Sequence, residues 1–259
     1  MRDIFAKYGI SHLIAISGFH LGVISLVLYF IFNLLYKPIH QKYFPYRNKR
    51  FDILIFISLI LFSYLLFTNL VPSLLRAFMM FVFGIFLLRN NIKLLSFETL
   101  FIIVLIIITL FPKLLFSLSL WFSVAGVFYI FLFIQYFNNL NKYIQLIIFN
   151  FWIYLAINPV THYFFGTTSL EQLYSPLLTL LFTIFYPLTA FLHIIGFGGL
   201  FDNILINFLD AQIDSSELFT PLWFFTIYLF FSFTAILYKY SFYLLNILFI
   251  LFSSYLYLF

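Results

Sequence analysis

The stretch DILIFISLILFSYLLFTN, residues 52–69, decides the fold class, because it carries a single charged residue and is long enough to cross a bilayer. A helix of about 20 apolar residues spans the hydrocarbon core, and its backbone satisfies its own polar groups there. The whole chain has this character, since 65% of its 259 residues are hydrophobic and 8% are charged. Soluble domains carry roughly a quarter charged residues. The sequence therefore predicts an all-α, polytopic integral membrane protein.

Apolar runs of this kind recur along the chain and predict about eight to ten transmembrane helices. The connections between them are short, so we expect a single helical membrane domain over residues 1–259 and no soluble domain. The predicted spans lie near residues 11–35, 52–69, 72–89, 97–112, 115–137, 143–157, 174–197, 218–238 and 241–259.

Basic residues set the expected orientation. The stretch from Lys37 to Arg50 holds five basic residues and no acid, so it is predicted to be cytoplasmic. Alternating from there places the amino terminus and the turn at Pro72 outside, and Arg89 to Lys93 inside. The net charge of +5 is then explained by orientation rather than by a nucleic-acid-binding surface.

Composition also excludes several function classes. The chain has no cysteine, which rules out disulfides and a thiolate nucleophile. No Gly-x-x-x-x-Gly-Lys sequence occurs, so ATP binding is not predicted. The 42 Phe and 19 Tyr are read as lipid-facing side chains rather than as base-stacking platforms.

Two segments do not fit a simple span. Residues 158–169 are too polar to span and too apolar for an ordinary loop, which predicts a broken, non-helical or re-entrant segment. Residues 200–217 place apolar side chains on one helical face and acids elsewhere, which predicts an amphipathic helix in the interface plane.

Polar residues crowd the start of the first span, in His12-Leu-Ile-Ala-Ile-Ser17-Gly18-Phe-His20-Leu-Gly22. On one straight helix His12 and His20 would lie about 12 Å apart along the axis, too far to share a metal. A break at Ser17 and Gly18 would instead free backbone groups to line a wet path. The alternative is that the histidines bond between helices and the glycines allow close packing.

Arg76 follows Pro72 by about one helical turn, close to the predicted outer face. Its permanent, planar cation suits phosphate oxygens if it faces a cavity. The alternative is that it snorkels to the outer headgroups.

A third polar group consists of His162, Gly166, Ser169 and Glu171. A hydrolase triad is not predicted, because no Gly-x-Ser-x-Gly turn surrounds Ser169 and no buried acid is evident.

These motifs resemble those of the ComEC-type competence proteins. The string from His12 to Gly22 is similar to the His-Leu-Leu-Ala-Ile-Ser-Gly-Leu-His motif typical of that family. Residues 72–80 resemble its Pro-x-x-Arg-Ala-x-x-Met element, and residues 98–100 and 111–112 resemble its Asn-x-Leu and Asp-Pro positions, with departures at both. Residues 120–125 resemble a Phe-Gln-Leu-Ser element, although Trp121 replaces the glutamine. Residues 162–169 resemble a His-Phe-Gly-x-x-Ser element with one extra aromatic residue.

The resemblance implies an inner-membrane channel that passes single-stranded DNA into the cytoplasm during natural transformation. It implies no enzyme activity and no cofactor in these 259 residues. The expected partners are single-stranded DNA, a periplasmic or surface DNA receptor, a cytoplasmic ATP-driven motor or helicase, the lipid bilayer and a second copy of the chain. Residues predicted to line the DNA path are His12, Ser17, Gly18, His20, Arg76, Ser123, His162, Gly166 and Ser169.

Two alternatives come from other classes. The first is an intramembrane enzyme in which His12, His20 and His162 bind a metal or act as acid and base. The second is a secondary transporter for a small anion, with Arg76 as the substrate clamp. Such a transporter is expected to show inverted repeats, and none is visible in the sequence.

Overall fold

The computed structural model describes residues 2–14, 18–69, 71–90 and 95–258. In these residues the chain is almost entirely helical, with three short 3-10 turns at Pro112–Phe116, Leu170–Tyr174 and Gly198–Phe201. Strands β1 (Thr167–Thr168) and β2 (Ser216–Glu217) pair antiparallel. The helices are α1 (Arg2–Lys7), α2 (Ser11–Ile14), α3 (Gly18–Tyr43), α4 (Lys49–Phe67), α5 (Pro72–Arg89), α6 (Phe97–Leu110), α7 (Leu118–Phe137), α8 (Lys142–Phe164), α9 (Ser175–Ile194), α10 (Asp202–Leu209), α11 (Leu222–Thr234) and α12 (Lys239–Leu258).

The predicted fold class is confirmed. Every predicted span overlaps one of these helices, and α6 and α11 are the shortest matches, at 14 and 13 residues. Six helices of the described chain are long and apolar enough to cross a membrane: Gly18–Tyr43, Lys49–Phe67, Leu118–Phe137, Lys142–Phe164, Leu170–Ile194 and Lys239–Leu258.

The chain divides into two compact units. The first, which we call the terminal unit, combines residues 1–14 with residues 125–259, and the second, the central unit, comprises residues 15–124. The division falls inside α7, so the first two turns of that helix belong to the central unit.

The central unit is built on α4. Ile53, Ile57, Leu61 and Leu65 recur every four residues and are at most 1% exposed, so they form one buried stripe. Helices α3 and α5 pack against this stripe through Leu21 and Leu74 respectively. The opposite faces of these helices expose large apolar side chains, as lipid contact requires.

The basic end of the central unit is more helical than predicted. Helix α3 continues through Lys37 and Pro38 to Tyr43, and the loop before α4 is correspondingly short. Buried Asp52 anchors this end, because it accepts hydrogen bonds from Arg47 (2.7 Å) and from the Tyr36 hydroxyl (3.0 Å). The bond to the carboxylate, together with its charge, raises the pKa of Arg47.

In the terminal unit, polar side chains connect the long helices. The Trp152 indole of α8 donates to Asn246 of α12 (2.7 Å), and the Tyr228 hydroxyl of α11 donates to the Ala156 carbonyl of α8 (2.5 Å). In a bilayer, helices gain no hydrophobic energy from each other, so such bonds and close packing hold them together. A further bond, between Asn158 and Ser253 (3.5 Å), shows that α8 and α12 run in the same direction.

The prediction of a non-helical segment over residues 158–169 is wrong in its first half. Helix α8 continues through Pro159 to Phe164, and the irregular backbone begins only after it. The polar residues are accommodated because they find partners: Asn158 bonds to α12, and Thr161 donates to the Asn158 carbonyl (3.0 Å).

The predicted amphipathic helix over residues 200–217 is shorter than expected. It consists of the turn Gly198–Phe201 and α10, and the chain beyond Leu209 is irregular until β2. Part of its apolar face is used inside the protein, because Phe208 stacks on the Tyr8 ring at 4.5 Å and Ile213 is buried. Its position in the interface plane stays a prediction.

Candidate functional site

Arg76 lies in the second turn of α5 and is buried, with 5% of its surface exposed. Its Nη2 donates to the Ser119 hydroxyl at 2.7 Å. Its Nε and Nη1 atoms are buried and have no hydrogen-bond partner among the residues that the structure describes. Two of the three guanidinium nitrogens therefore keep unused donors inside the central unit.

Within the described part of the chain, no carboxylate forms an ion pair with Arg76. The ion pair in the described part of the chain joins Arg47 to Asp52, at the other end of the central unit. A buried cation without an anionic partner loses hydration that nothing restores, so it attracts an anion or water. The burial of Arg76 also contradicts the snorkelling alternative, in which the side chain extends to the lipid headgroups.

The hydrogen-bond partner of buried Arg76 lies at the surface of the central unit. Ser119, its partner, is exposed at the start of α7, and Ser123 follows one turn later on the same side of that helix. A depression of about 280 Å³ lies at the same end of the unit. It is lined by Leu75, Leu110, Phe111, Pro112, Lys113 and Leu114.

The structure brings the first motif next to the second. A Cβ built on Gly18, the first residue of α3, would lie 3.6 Å from the Cβ of Ala77, the neighbour of Arg76. Gly18 therefore packs against α5 beside the arginine. His20 is half-buried on α3, and Ser17 lies outside the described residues. His12 belongs to the terminal unit, where it is exposed on α2.

The third motif is buried within the terminal unit. His162 is 4% exposed, and its Nδ1 lies 3.0 Å from the Asn158 carbonyl. Its Nε2 has no hydrogen-bond partner in the part of the chain that the structure describes. Gly166 has a φ of +61°, and a Cβ there would come within 2.6 Å of the Phe219 ring. Only glycine fits this turn, where the Gly166 carbonyl accepts from the Leu218 amide at 2.7 Å.

Ser169 is also buried, and its hydroxyl donates to the Lys7 carbonyl of the amino-terminal residues. The hydroxyl is thus occupied by the protein itself. A pore-lining role for His162, Gly166 and Ser169 stays a prediction.

The three-histidine metal site of the enzyme alternative gains no support. Over residues 2–14, 18–69, 71–90 and 95–258, no group of three or more His, Asp or Glu side chains is placed to hold a metal ion.

Sequence reasoning missed several polar residues that the structure places at these sites. Ser119 holds the Arg76 guanidinium, and Gln172 bonds to the amino-terminal residues. Ser119 precedes the predicted Ser123 by one turn, and this spacing is the only signal that pointed to it.

Comparison with known proteins gives one match. A family model described as "Competence protein" matches residues 1–254. No curated protein and no solved structure matches the chain.

Proposed function

The chain belongs to the competence protein family, and we propose that it forms an inner-membrane channel that passes single-stranded DNA into the cytoplasm during natural transformation. Family membership indicates a role in DNA uptake for competence, and the six long apolar helices indicate a multi-pass membrane protein. The channel itself is the proposal.

The observation that carries the proposal is the uncompensated Arg76. A DNA strand presents one phosphate diester after another, and hydrocarbon excludes it, so the conduit must offer cations or dipoles along a wet path. Among the described residues, Arg76 has unpaired donors on Nε and Nη1, and the Ser119 hydroxyl accepts from Nη2 and keeps its own proton to donate. One cation at this position attracts a phosphate without holding a long strand too tightly to release it.

Charge in the central unit supports the proposed orientation. The end formed by Tyr36–Asp52 and Arg89 holds most basic residues of the unit, so by the positive-inside rule it is cytoplasmic. The opposite end, which contains Arg76, then faces outward, and the amino terminus lies outside. An incoming strand would meet Arg76 early on its path.

The proposal includes partners and excludes catalysis. The sequence lacks a Gly-x-x-x-x-Gly-Lys element, so the pulling force is assigned to a cytoplasmic ATP-driven motor or helicase. A periplasmic or surface receptor delivers the DNA in this proposal, and a second copy of the chain is a partner in the bilayer. The chain acts as a conduit rather than as an enzyme.

The test replaces the resident protein of a naturally competent strain with this chain and measures cytoplasmic entry of fluorescent DNA. Arg76→Ala is expected to lower uptake by about tenfold or more, the equivalent of one lost charge-assisted contact in the transport step. Arg76→Lys restores charge but not the planar fork, so it is expected to recover only part of the uptake.

Arg89→Ala is the matched control, because Arg89 ends the same helix at the opposite end and is exposed. It is expected to leave uptake unchanged. Equal uptake by the Arg76→Ala and Arg89→Ala chains, at equal membrane abundance, would reject the phosphate role. Accumulation of labelled inorganic phosphate by cells that take up no DNA would favour the small-anion transporter instead.

A further inference from the structure

Helix α1 ends in a Schellman motif, which leaves some of its carbonyls without partners. Gly9 adopts a φ of +68°, the Ile10 amide bonds to the Phe5 carbonyl and the Gly9 amide bonds to the Ala6 carbonyl, both at 2.9 Å. The carbonyls of Lys7 and Gly9 receive no main-chain hydrogen bond in this turn. The His12 ring bonds to the Gly9 carbonyl from within the same turn, and the further donors to the two carbonyls come from another part of the chain.

Two side chains of one short segment supply those donors, and a third side chain of the same segment adds a bond to the Ala6 carbonyl. The Ser169 hydroxyl donates to the Lys7 carbonyl, and the Ser175 hydroxyl donates to the Gly9 carbonyl at 3.1 Å. Gln172 donates to the Ala6 carbonyl at 3.4 Å and to the Thr167 carbonyl at 2.7 Å. All three side chains are at most 5% exposed.

The spacing of these residues explains why they act together. Ser169, Gln172 and Ser175 are three residues apart, and they flank or belong to the 3-10 turn Leu170–Tyr174. A 3-10 helix has three residues per turn, so the three side chains lie on one face. We call this face the polar clamp, and residues 2–14 the amino-terminal segment.

Other contacts hold the amino-terminal segment on its far side and connect the clamp to the helix bundle. Lys7 donates to the Ile213 carbonyl at 2.7 Å, and Tyr8 stacks on Phe208. The Tyr257 hydroxyl of α12 donates to Gln172 at 3.5 Å. The clamp is therefore fixed to the bundle while it holds the main chain of the segment.

We propose that Ser169, Gln172 and Ser175 are positioning residues that hold the amino-terminal segment in place, and that the segment stays clamped while DNA passes. The statement that the segment stays clamped while DNA passes rests on the proposed channel function. The clamp sets the position of the residues that lead into the His12–Gly22 motif, and it assigns Ser169 a role other than contact with DNA.

The first experiment uses the rate of thiol labelling, in the absence of DNA, to test whether the clamp holds the amino-terminal segment. The chain has no cysteine, so a single introduced thiol reports its own site. Ile10 is 4% exposed, and Ile10→Cys is expected to react slowly with a maleimide in permeabilised membranes. Adding Ser169→Ala and Gln172→Ala is expected to speed labelling about tenfold or more, because the segment is released. His12→Cys, at an exposed position, is the control and is expected to label quickly in both backgrounds.

The second experiment restores the clamp with a covalent bond. A Cβ on Gly9 would lie 3.4 Å from the Ser175 Cβ, close to the separation of about 3.8 Å found in disulfides. In the Ser169→Ala, Gln172→Ala chain, DNA uptake is expected to fall. Gly9→Cys with Ser175→Cys is expected to restore uptake under oxidising conditions and to lose it again on reduction. Gly9→Cys alone carries the same backbone strain at φ +68° without the covalent bond, so it is the control and is expected to do neither.

The outcomes separate the two proposals. Unchanged labelling of the Ile10→Cys chain without Ser169 and Gln172 overturns the clamp. Faster labelling with full DNA uptake, or a disulfide that blocks uptake, overturns its role in transport. Failure of the unmodified chain to support uptake overturns the channel, and the labelling result still decides the clamp.

Discussion

Gly18 packs directly against Ala77: a Cβ on Gly18 would sit 3.6 Å from the Cβ of Ala77, at ordinary van der Waals distance. This contact places the start of α3 beside the residue that follows Arg76, so two motifs that are far apart in the sequence form one site in the central unit. A methyl group on Gly18 fits at this contact, whereas a longer side chain has to pack against Ala77 or turn toward the exposed side of Gly18.

The effect of a substitution at Gly18 on DNA uptake should therefore depend on the size of the new side chain. Gly18→Ala is expected to keep DNA uptake near the unmodified level, whereas Gly18→Leu is expected to lower it about tenfold or more, because the larger side chain displaces α5 and its arginine. The matched control is Gly22→Leu, since a Cβ on Gly22 meets nothing within 4 Å. Equal uptake by the Gly18→Leu and Gly22→Leu chains would contradict this arrangement.

The helices could be predicted because their signal is local. The length of an apolar run can be read directly from the sequence, and the basic residues 37–50, at the end of α3 and in the loop after it, indicate a side of the membrane. The spans and the polytopic class therefore follow from the sequence. The prediction failed at residues 158–164, because the partner that makes polar Asn158 acceptable in a helix is Ser253, on the last helix of the chain.

The site residues were harder to predict for a related reason. Arg76 was visible as a lone cation in an apolar run, but its partner Ser119 is 43 residues away and looks like any other serine. The polar clamp acts on main-chain carbonyls, which every residue carries, so Gln172 and Ser175 had no partner that a sequence motif could reveal.

Gly166 should be intolerant of any side chain. Its φ of +61° strains L-residues by about 1–2 kcal/mol, and a Cβ would also overlap the Phe219 ring. Gly166→Ala is expected to lower the unfolding temperature of the detergent-solubilised protein. Gly196→Ala is the control, because Gly196 also has a positive φ, +88°, but nothing lies within 4 Å of its Cβ position.

Both alanine variants carry the strain of a positive φ, so the difference between their unfolding temperatures measures the clash with Phe219. Gly166→Ala is expected to be the more destabilising of the two. Phe219→Ala added to Gly166→Ala should recover part of the difference, and equal unfolding temperatures for the two single variants would show that the ring is not a constraint.

The bond from Trp152 to Asn246 is expected to stabilise the pairing of α8 and α12. Asn246→Leu leaves the indole N–H unpaired among apolar side chains, and the expected loss is about 1–2 kcal/mol of unfolding free energy. Trp152→Phe removes the same bond without leaving that donor. A double-mutant cycle over both positions should therefore show that the two changes are not additive, and strict additivity would contradict the interaction.

Ser119 is expected to influence DNA uptake through Arg76. Its hydroxyl accepts from Nη2 and fixes the plane of the guanidinium, so Ser119→Ala should lower uptake less than Arg76→Ala and should have no further effect when Arg76 is already replaced. Ser119→Thr keeps the hydroxyl and is expected to retain uptake. Ser123→Ala, one turn along α7, serves as the comparison. If Ser123 lines the path independently of Arg76, Ser123→Ala should still lower uptake in the Arg76→Ala chain. Ser119→Ala should have no effect on uptake in that chain. Additive losses from Ser119→Ala and Arg76→Ala would mean that the serine does not work by orienting the arginine.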